Sequence, residues 1–547
     1  MSEIREHPYI PTLKKQLVER KIDRREFLRT STLLGLSAVA AYGFLGRVTG
    51  ETFVQSARAD MPMGGKLRIG QRILDLSSPH TYSWFEETVT RQVCEYVTKT
   101  GHDNVTRPSL AERWEASDDL RTWTFYLRQD VKWHDGRPFV ADDVIWNLRH
   151  ALDPATGSSM VGLMKGYMLN DVGDSVELWD ANAIEKVDDH TFRLNAKEPQ
   201  LAVPEHFFHY PMLIQDPAED GHFGAGSNGT GAFELTEVTV GELAVLKPRA
   251  DYWGEGPYVD ELRFIDLGDE ESARVAALAS QQVDGVYEVK INALESVKTL
   301  PHVTIYEAST AQTAVARTRV SEKPFGDPRV RKALRLATDS NQVLQIVMRG
   351  LGLPGEHHHV CPVHPEYAQL PEMTRDVEAS KQLLAEAGFP DGIDLEIASN
   401  ADESWEVAAV QAMVEQWKGA GIRCNINVMP GASFWEVWDK VPFGMTNWTH
   451  RPLGVMVLGL AYRTGVPWNE SAYSNPEFDA LLAKAEGILD VDARREVMAG
   501  IEKLMQEDGP IVQPVWRSVF AAYDKKVKGF KMHPTSYIFA NELAIES

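Results

Sequence analysis

The run His357-His358-His359-Val360-Cys361-Pro362-Val363-His364 gathers imidazoles and one thiol, the donor types that hold zinc, nickel or copper. Neighbouring side chains of an extended segment point to opposite sides. The candidate ligands are therefore His357, His359, Cys361 and His364 rather than the whole run. A loop lining a ligand and a plain solvated loop are the other readings, and no resident metal or cofactor is expected. Fourteen tryptophans form the second chemical resource. Several lie in turn-rich segments, among them Tyr82-Ser83-Trp84 and the group Phe434, Trp435 and Trp438, whose spacing also suits the buried face of a helix. Catalytic patterns are poor: the chain has no G-x-S-x-G, no H-E-x-x-H and no phosphate-cradling loop with its lysine and serine, so a hydrolase has no motif behind it. Acidic neighbours such as Asp118-Asp119 and Asp142-Asp143 read as helix caps and solvated faces.

The elements that must position these groups are legible from periodicity. Trp123, Phe125 and Leu127 alternate with Thr122, Thr124 and Tyr126, the pattern of a half-buried strand. A His134-Asp135-Gly136 turn and Pro138 follow, then a helix start marked by Asp142 and Asp143. Further along, Asp327-Pro328 caps a helix, 376–387 reads as a helix stopped by Gly388, and others are expected near 476–489 and 493–506. Strand-like runs alternate with these helices, which indicates an α/β architecture. At 547 residues the chain is too long for one core and must divide into domains. Its formal charge of −23 argues against nucleic acid and anionic lipid as partners. Three cysteines, Cys94, Cys361 and Cys424, allow at most one internal disulfide, so no cysteine framework holds the fold.

The N-terminus reads as an export leader. Lys14, Lys15, Arg20 and Lys21 precede Arg24-Arg25-Glu26-Phe27-Leu28, residues 32–45 are apolar and small, and Ala57-Arg58-Ala59 offers a cleavage site. The paired arginines followed by Phe-Leu match the twin-arginine type, which carries folded proteins. About 14 apolar residues are too few for a stable membrane anchor. Removing residues 1–59, with 10 basic and 6 acidic side chains, leaves 46 basic and 73 acidic ones, a formal charge of −27.

Taken as a string, residues 110–148 resemble the recognition region of the family 5 extracellular solute-binding proteins, the oligopeptide, dipeptide and nickel receptors of bacterial ABC importers. Asn228-Gly229-Thr230-Gly231-Ala232-Phe233, Asp251-Tyr252-Trp253-Gly254 with Pro257-Tyr258-Val259-Asp260, PFGDPRVRKALRLATD, SKQLLAEAGFPDG and SAYSNPEFDALL extend the similarity in the expected order. The resemblance implies a two-lobed periplasmic binding protein fold of the second type, hinged around a ligand cleft. Its lobe 1 would comprise 60–266 with 510–547, including an extra subdomain at 104–195, and lobe 2 would comprise 267–509. The chain would cross between lobes near 264–268 and 509–516. The implied role is a periplasmic, monomeric receptor, not an enzyme, delivering peptides or peptide-like solutes to a membrane permease driven by separate ATPases. A nickel-type receptor is the alternative.

The same resemblance assigns site residues. Tyr82, Ser83 and Trp84 match the segment lining the cleft from lobe 1, and Trp435 belongs to the lobe-2 aromatic segment. Asn447-Trp448-Thr449-His450-Arg451 matches a "W-x-x-D" segment whose aspartate pairs with a ligand ammonium. Here Arg451 falls at the aspartate position, and a guanidinium fork favours a carboxylate or phosphate. A modified peptide or opine-like solute is the narrower expectation. The other reading of Arg451 is a structural ion pair, and His450 is either a second contact or an exposed loop histidine.

Overall fold

The computed structural model describes residues 6–49, 61–82, 86–173 and 175–546. The chain divides into two compact units, one made of 1–307 with 520–547 and the other of 308–519. Both breaks fall inside strands, Val303–Thr318 and Val515–Asp524. The expected breaks near 266 and 510 lie elsewhere for a simple reason. After Glu261–Ile265 the chain forms the helix Glu271–Ala279 and returns as Gly285–Val286, hydrogen-bonded beside Lys66–Gly70, so 268–307 stays with the first unit.

In the first unit Lys66–Gly70 lies parallel to Glu261–Ile265, which pairs antiparallel with Leu243–Pro248 and through it with Phe233–Thr239. A separate sheet runs in the order Ala111–Ala116, Thr122–Leu127, Thr191–Asn195, Ile184–Asp188. Trp123, Phe125 and Leu127 are its buried face, and Phe125 stacks on Phe192 across the strand pair with ring centroids 5.0 Å apart. The turn that follows is pinned from ahead. Buried Asp143, inside the helix Ala141–Leu152, accepts from the Val140 amide (2.9 Å), the Trp133 indole N–H (3.1 Å) and Arg137 Nη1 (2.9 Å). One carboxylate thereby fixes helix start, hairpin and turn together. Helices Ile10–Val18, Arg24–Leu33 and Ala38–Thr49 also pack on this unit. The proposed cleavage site at 57–59 lies outside the described residues.

The second unit is built on strands in the order Val303–Thr318, Phe443–Trp448, Ile393–Asn400, Ile422–Met429. The first pair is antiparallel, and the last three strands run parallel. Ile393, Leu395 and Ile397 pack with Met413, Trp417 and Phe443 in one core. Helix starts follow local chemistry: Asp327, Asp376 and Asp490 cap Pro328–Leu336, Val377–Glu386 and Val491–Asp508, and Asn475 caps Pro476–Glu486. Among the described residues no helix is long and apolar enough to cross a membrane.

Candidate functional site

The three parallel strands of the second unit each hand over to a helix at their carboxyl ends. Ile393–Asn400 leads to Ser404–Trp417, Ile422–Met429 to Gly431–Trp435, and Phe443–Trp448 to Gly454–Ala461. In open α/β sheets this edge is where ligands bind, because helix N-termini and strand-end loops converge there. Here it carries Trp405, Trp435, Trp448 and Arg451.

Aromatic rings form a continuous row along it. Trp435 meets Trp438 edge to face with centroids 6.0 Å apart, Trp438 meets Trp468 at 6.5 Å, and Trp468 meets Trp448 at 6.0 Å. His359 continues the row, 5.7 Å from Trp448 and 5.9 Å from Trp516. Exposure falls along it, from 44% at Trp435 to 5% at Trp448 and 1% at Trp516. Such a row offers a rigid apolar wall with polar edges at low conformational cost.

Trp448 is oriented from beneath. Its indole N–H donates to Glu470 Oε1 at 3.1 Å, and Glu470 Oε2 accepts from Thr446 Oγ1 at 2.6 Å and Arg317 Nε at 2.9 Å. All four groups are buried. Burial pushes the Glu470 carboxyl up, and the Arg317 guanidinium opposes that shift. Asn447 faces the other side of its strand and donates to buried Glu406 Oε1 at 2.5 Å. Beside Glu406, the Arg517 guanidinium lies 5.1 Å over the Trp405 ring.

His450 is not an exposed loop histidine. It is 2% exposed, and its Nδ1 accepts from the Ala311 amide at 3.0 Å. Arg451 is 3% exposed and turns back on its own loop, donating from Nη1 to Thr449 O (3.2 Å), Thr449 Oγ1 and His450 O (3.1 Å). Its own carbonyl accepts from His364 Nε2 at 3.1 Å. Arg451 therefore shapes the turn after Trp448. In the first unit Tyr82 is 4% exposed and donates its hydroxyl to Leu76 O at 2.6 Å, so it packs as a buried strut. Ser83 and Trp84 lie outside the described residues.

The histidine run departs from the solvated loop and from the ligand set alike. His357, His358, His359, Cys361 and His364 are all buried. His357 Nδ1 accepts from the Gln513 amide, His358 Nδ1 from Val360, and His364 Nδ1 from Cys361, at 3.0, 3.2 and 3.0 Å. His359 Nδ1 meets the Tyr462 hydroxyl at 2.6 Å, and the Cys361 thiol donates to Thr310 O at 3.5 Å. Burial pushes His357 and His358 down to about 3, which keeps the imidazoles neutral acceptors, and pushes the Cys361 thiol up. These groups are bolts holding the 355–367 loop against the sheet. Among the described residues no group of three or more His, Cys, Asp or Glu side chains is placed to hold a metal ion. The three cysteines are free thiols.

Glu470, Trp468, Trp405, Glu406 and Arg517 complete the edge and carry no motif. Their partners are distant in sequence, Glu470 from Arg317 by 153 positions, so no local pattern announces them.

Comparison with known proteins places this architecture. Heme-binding protein A of Haemophilus influenzae is 25% identical over 490 residues, covering 84% of this chain and 87% of that protein. The periplasmic oligopeptide-binding protein OppA of Salmonella typhimurium is 26% identical over 512 residues, covering 85% and 90%. Among solved structures, the binding protein AgaA from A. tumefaciens R10, in complex with agropinic acid, superposes with a TM-score of 0.78 at 22% identity over 88% of this chain and 99% of that one. The fold is thus the mixed α/β fold of the two-lobed periplasmic binding proteins. Residues 106–490 match the family described as bacterial extracellular solute-binding proteins, family 5 Middle, and the chain belongs to that family.

Proposed function

We propose that this protein is the solute receptor of an ABC importer, working outside the cytoplasm as a monomer and handing its cargo to a membrane permease driven by separate ATPases. The single observation that carries the reading is the aromatic row at the carboxyl ends of the three parallel strands, within a chain of this family. The row offers apolar walls and indole edges, which suits enclosing a solute rather than converting it. The solute is a peptide or peptide-like molecule, and its narrower form carries an anionic group. Support for the anionic form is the agropinic acid held by AgaA. The twin-arginine sequence Arg24-Arg25 supports export of the folded chain to the periplasm.

The test is native mass spectrometry of freshly purified protein for a co-purified solute, followed by identification of that solute and its titration into the wild type. A retained solute that carries a carboxylate or phosphate and binds saturably supports the narrower form. Solutes that are all without an anionic group remove it.

A further inference from the structure

Residues 6–49 meet the first unit through polar contacts that apolar collapse alone does not supply. Trp114, 1% exposed, donates its indole N–H to Leu33 O at 2.7 Å. A buried indole needs such a partner, and here the leader's backbone provides it. Two residues on, Gly35 has φ +85°, and a Cβ at that position would lie 2.1 Å from Trp114 O. Conformation and space both require glycine there. Arg29 is 4% exposed, pairs with Glu26 Oε2 at 3.2 Å, and donates Nε to Asn104 O at 3.3 Å. The body thus supplies one of the hydrogen bonds of this buried cation. Arg107 donates to the Tyr42 hydroxyl at 2.9 Å, and His7 Nε2 lies 3.3 Å from Ser117 O.

The docked segment also sorts the residues of its export sequence. Arg24 and Arg25 are exposed, whereas Phe27 is 0% and Leu28 8% exposed. Leu33, Leu34 and Leu45 of the apolar stretch are buried as well.

We infer that the first unit carries a docking surface, made by Asn104, Arg107, Trp114 and Ser117, whose partner is the chain's own N-terminal segment, and that docking shelters the apolar stretch and Phe27-Leu28 while displaying the twin arginines. The inference rests on the reading of residues 1–59 as an export leader. Engagement of Phe27 and Leu28 by an export receptor then requires undocking, and cleavage after Ala59 vacates the surface. The strands Thr106–Pro108 and Ala111–Ala116 supply the seat, so only a folded body shelters its leader.

Hydrogen exchange on the full chain tests this. Amides of 26–45 are expected to be protected in wild type and to exchange about tenfold faster or more in Trp114→Phe, which leaves the leader sequence intact and removes one buried hydrogen bond. Gly35→Val is the second variant, independent of any effect of Trp114→Phe on the body; protection of the strand Lys66–Gly70 reports that the body stays folded in both. Exchange of 26–45 at unstructured rates in wild type, or unchanged exchange in both variants, overturns the docking surface. The intact mass of the exported protein separates the two readings. Loss of 1–59 supports the leader, whereas retention of 1–59 alongside protected amides rejects the leader and with it the sheltering role, leaving a permanent helical appendage.

Discussion

Glu470 holds three donors at once, so substitution there separates charge from shape. Glu470→Gln keeps an oxygen for the Trp448 indole but leaves the Arg317 guanidinium, 0% exposed, without its counter-charge. Breaking a buried pair in this way costs about 3–5 kcal/mol. Thermal unfolding should show the loss as a clear drop in Tm; a change below about 1 kcal/mol, the worth of a surface pair, would mean that the pair carries no structural charge. His357 supplies a pH test with a defined sign. Its folded-state value of about 3 lies below the ordinary 6.5, so the unfolded chain binds a proton that the folded chain refuses. Its contribution to stability is full above pH 6.5 and is lost as pH falls from there toward about 3. His357→Asn keeps an acceptor for the Gln513 amide and tolerates the φ of +63°, yet does not titrate. Wild type should therefore lose more Tm between pH 7 and pH 5 than the variant, and equal losses would contradict the assignment.

Elements were legible wherever the determining chemistry is local. Asp327-Pro328 and Asp376 with Gly388 mark helices that the structure places within a few residues, because a cap and the amides it satisfies lie within one turn. The 122–127 strand was readable for the same reason, its period being set by its own side chains. The site was less legible. The histidine run offers metal-donor types side by side, but His357 is fixed by Gln513, 156 positions away, and only the folded sheet brings them together. Register with the family segment puts Arg451 at a ligand-contact position, whereas its guanidinium donates to carbonyls of its own turn. At this scale Asp143 is the sharpest test, since it serves a helix start, an indole and an arginine together. Asp143→Ala should cost about 2–4 kcal/mol. Chemical denaturation should report that loss in the first unit, and a cost under about 0.5 kcal/mol would show that the turn holds itself.

On the scale of the whole molecule, the block that resembles the family and the row proposed to bind the solute are different parts of the chain. The 110–148 block that resembles the family's recognition region supplies two strands of a four-stranded sheet and a helix start in the first unit, with Trp114, Trp123, Phe125, Trp133 and Phe139 buried. The aromatic row of the second unit is where chemistry faces outward, and Trp435 is its most exposed ring. The central claim is that this row binds a small solute without converting it, so the decisive measurement is a calorimetric titration of the co-purified solute into wild type and Trp435→Ala, with mass analysis of the solute afterwards. Saturable one-to-one binding, a solute of unchanged mass, and affinity about tenfold weaker in the variant at an unaltered Tm are the predicted result. Equal affinity in both proteins, or a solute recovered chemically altered, would contradict it.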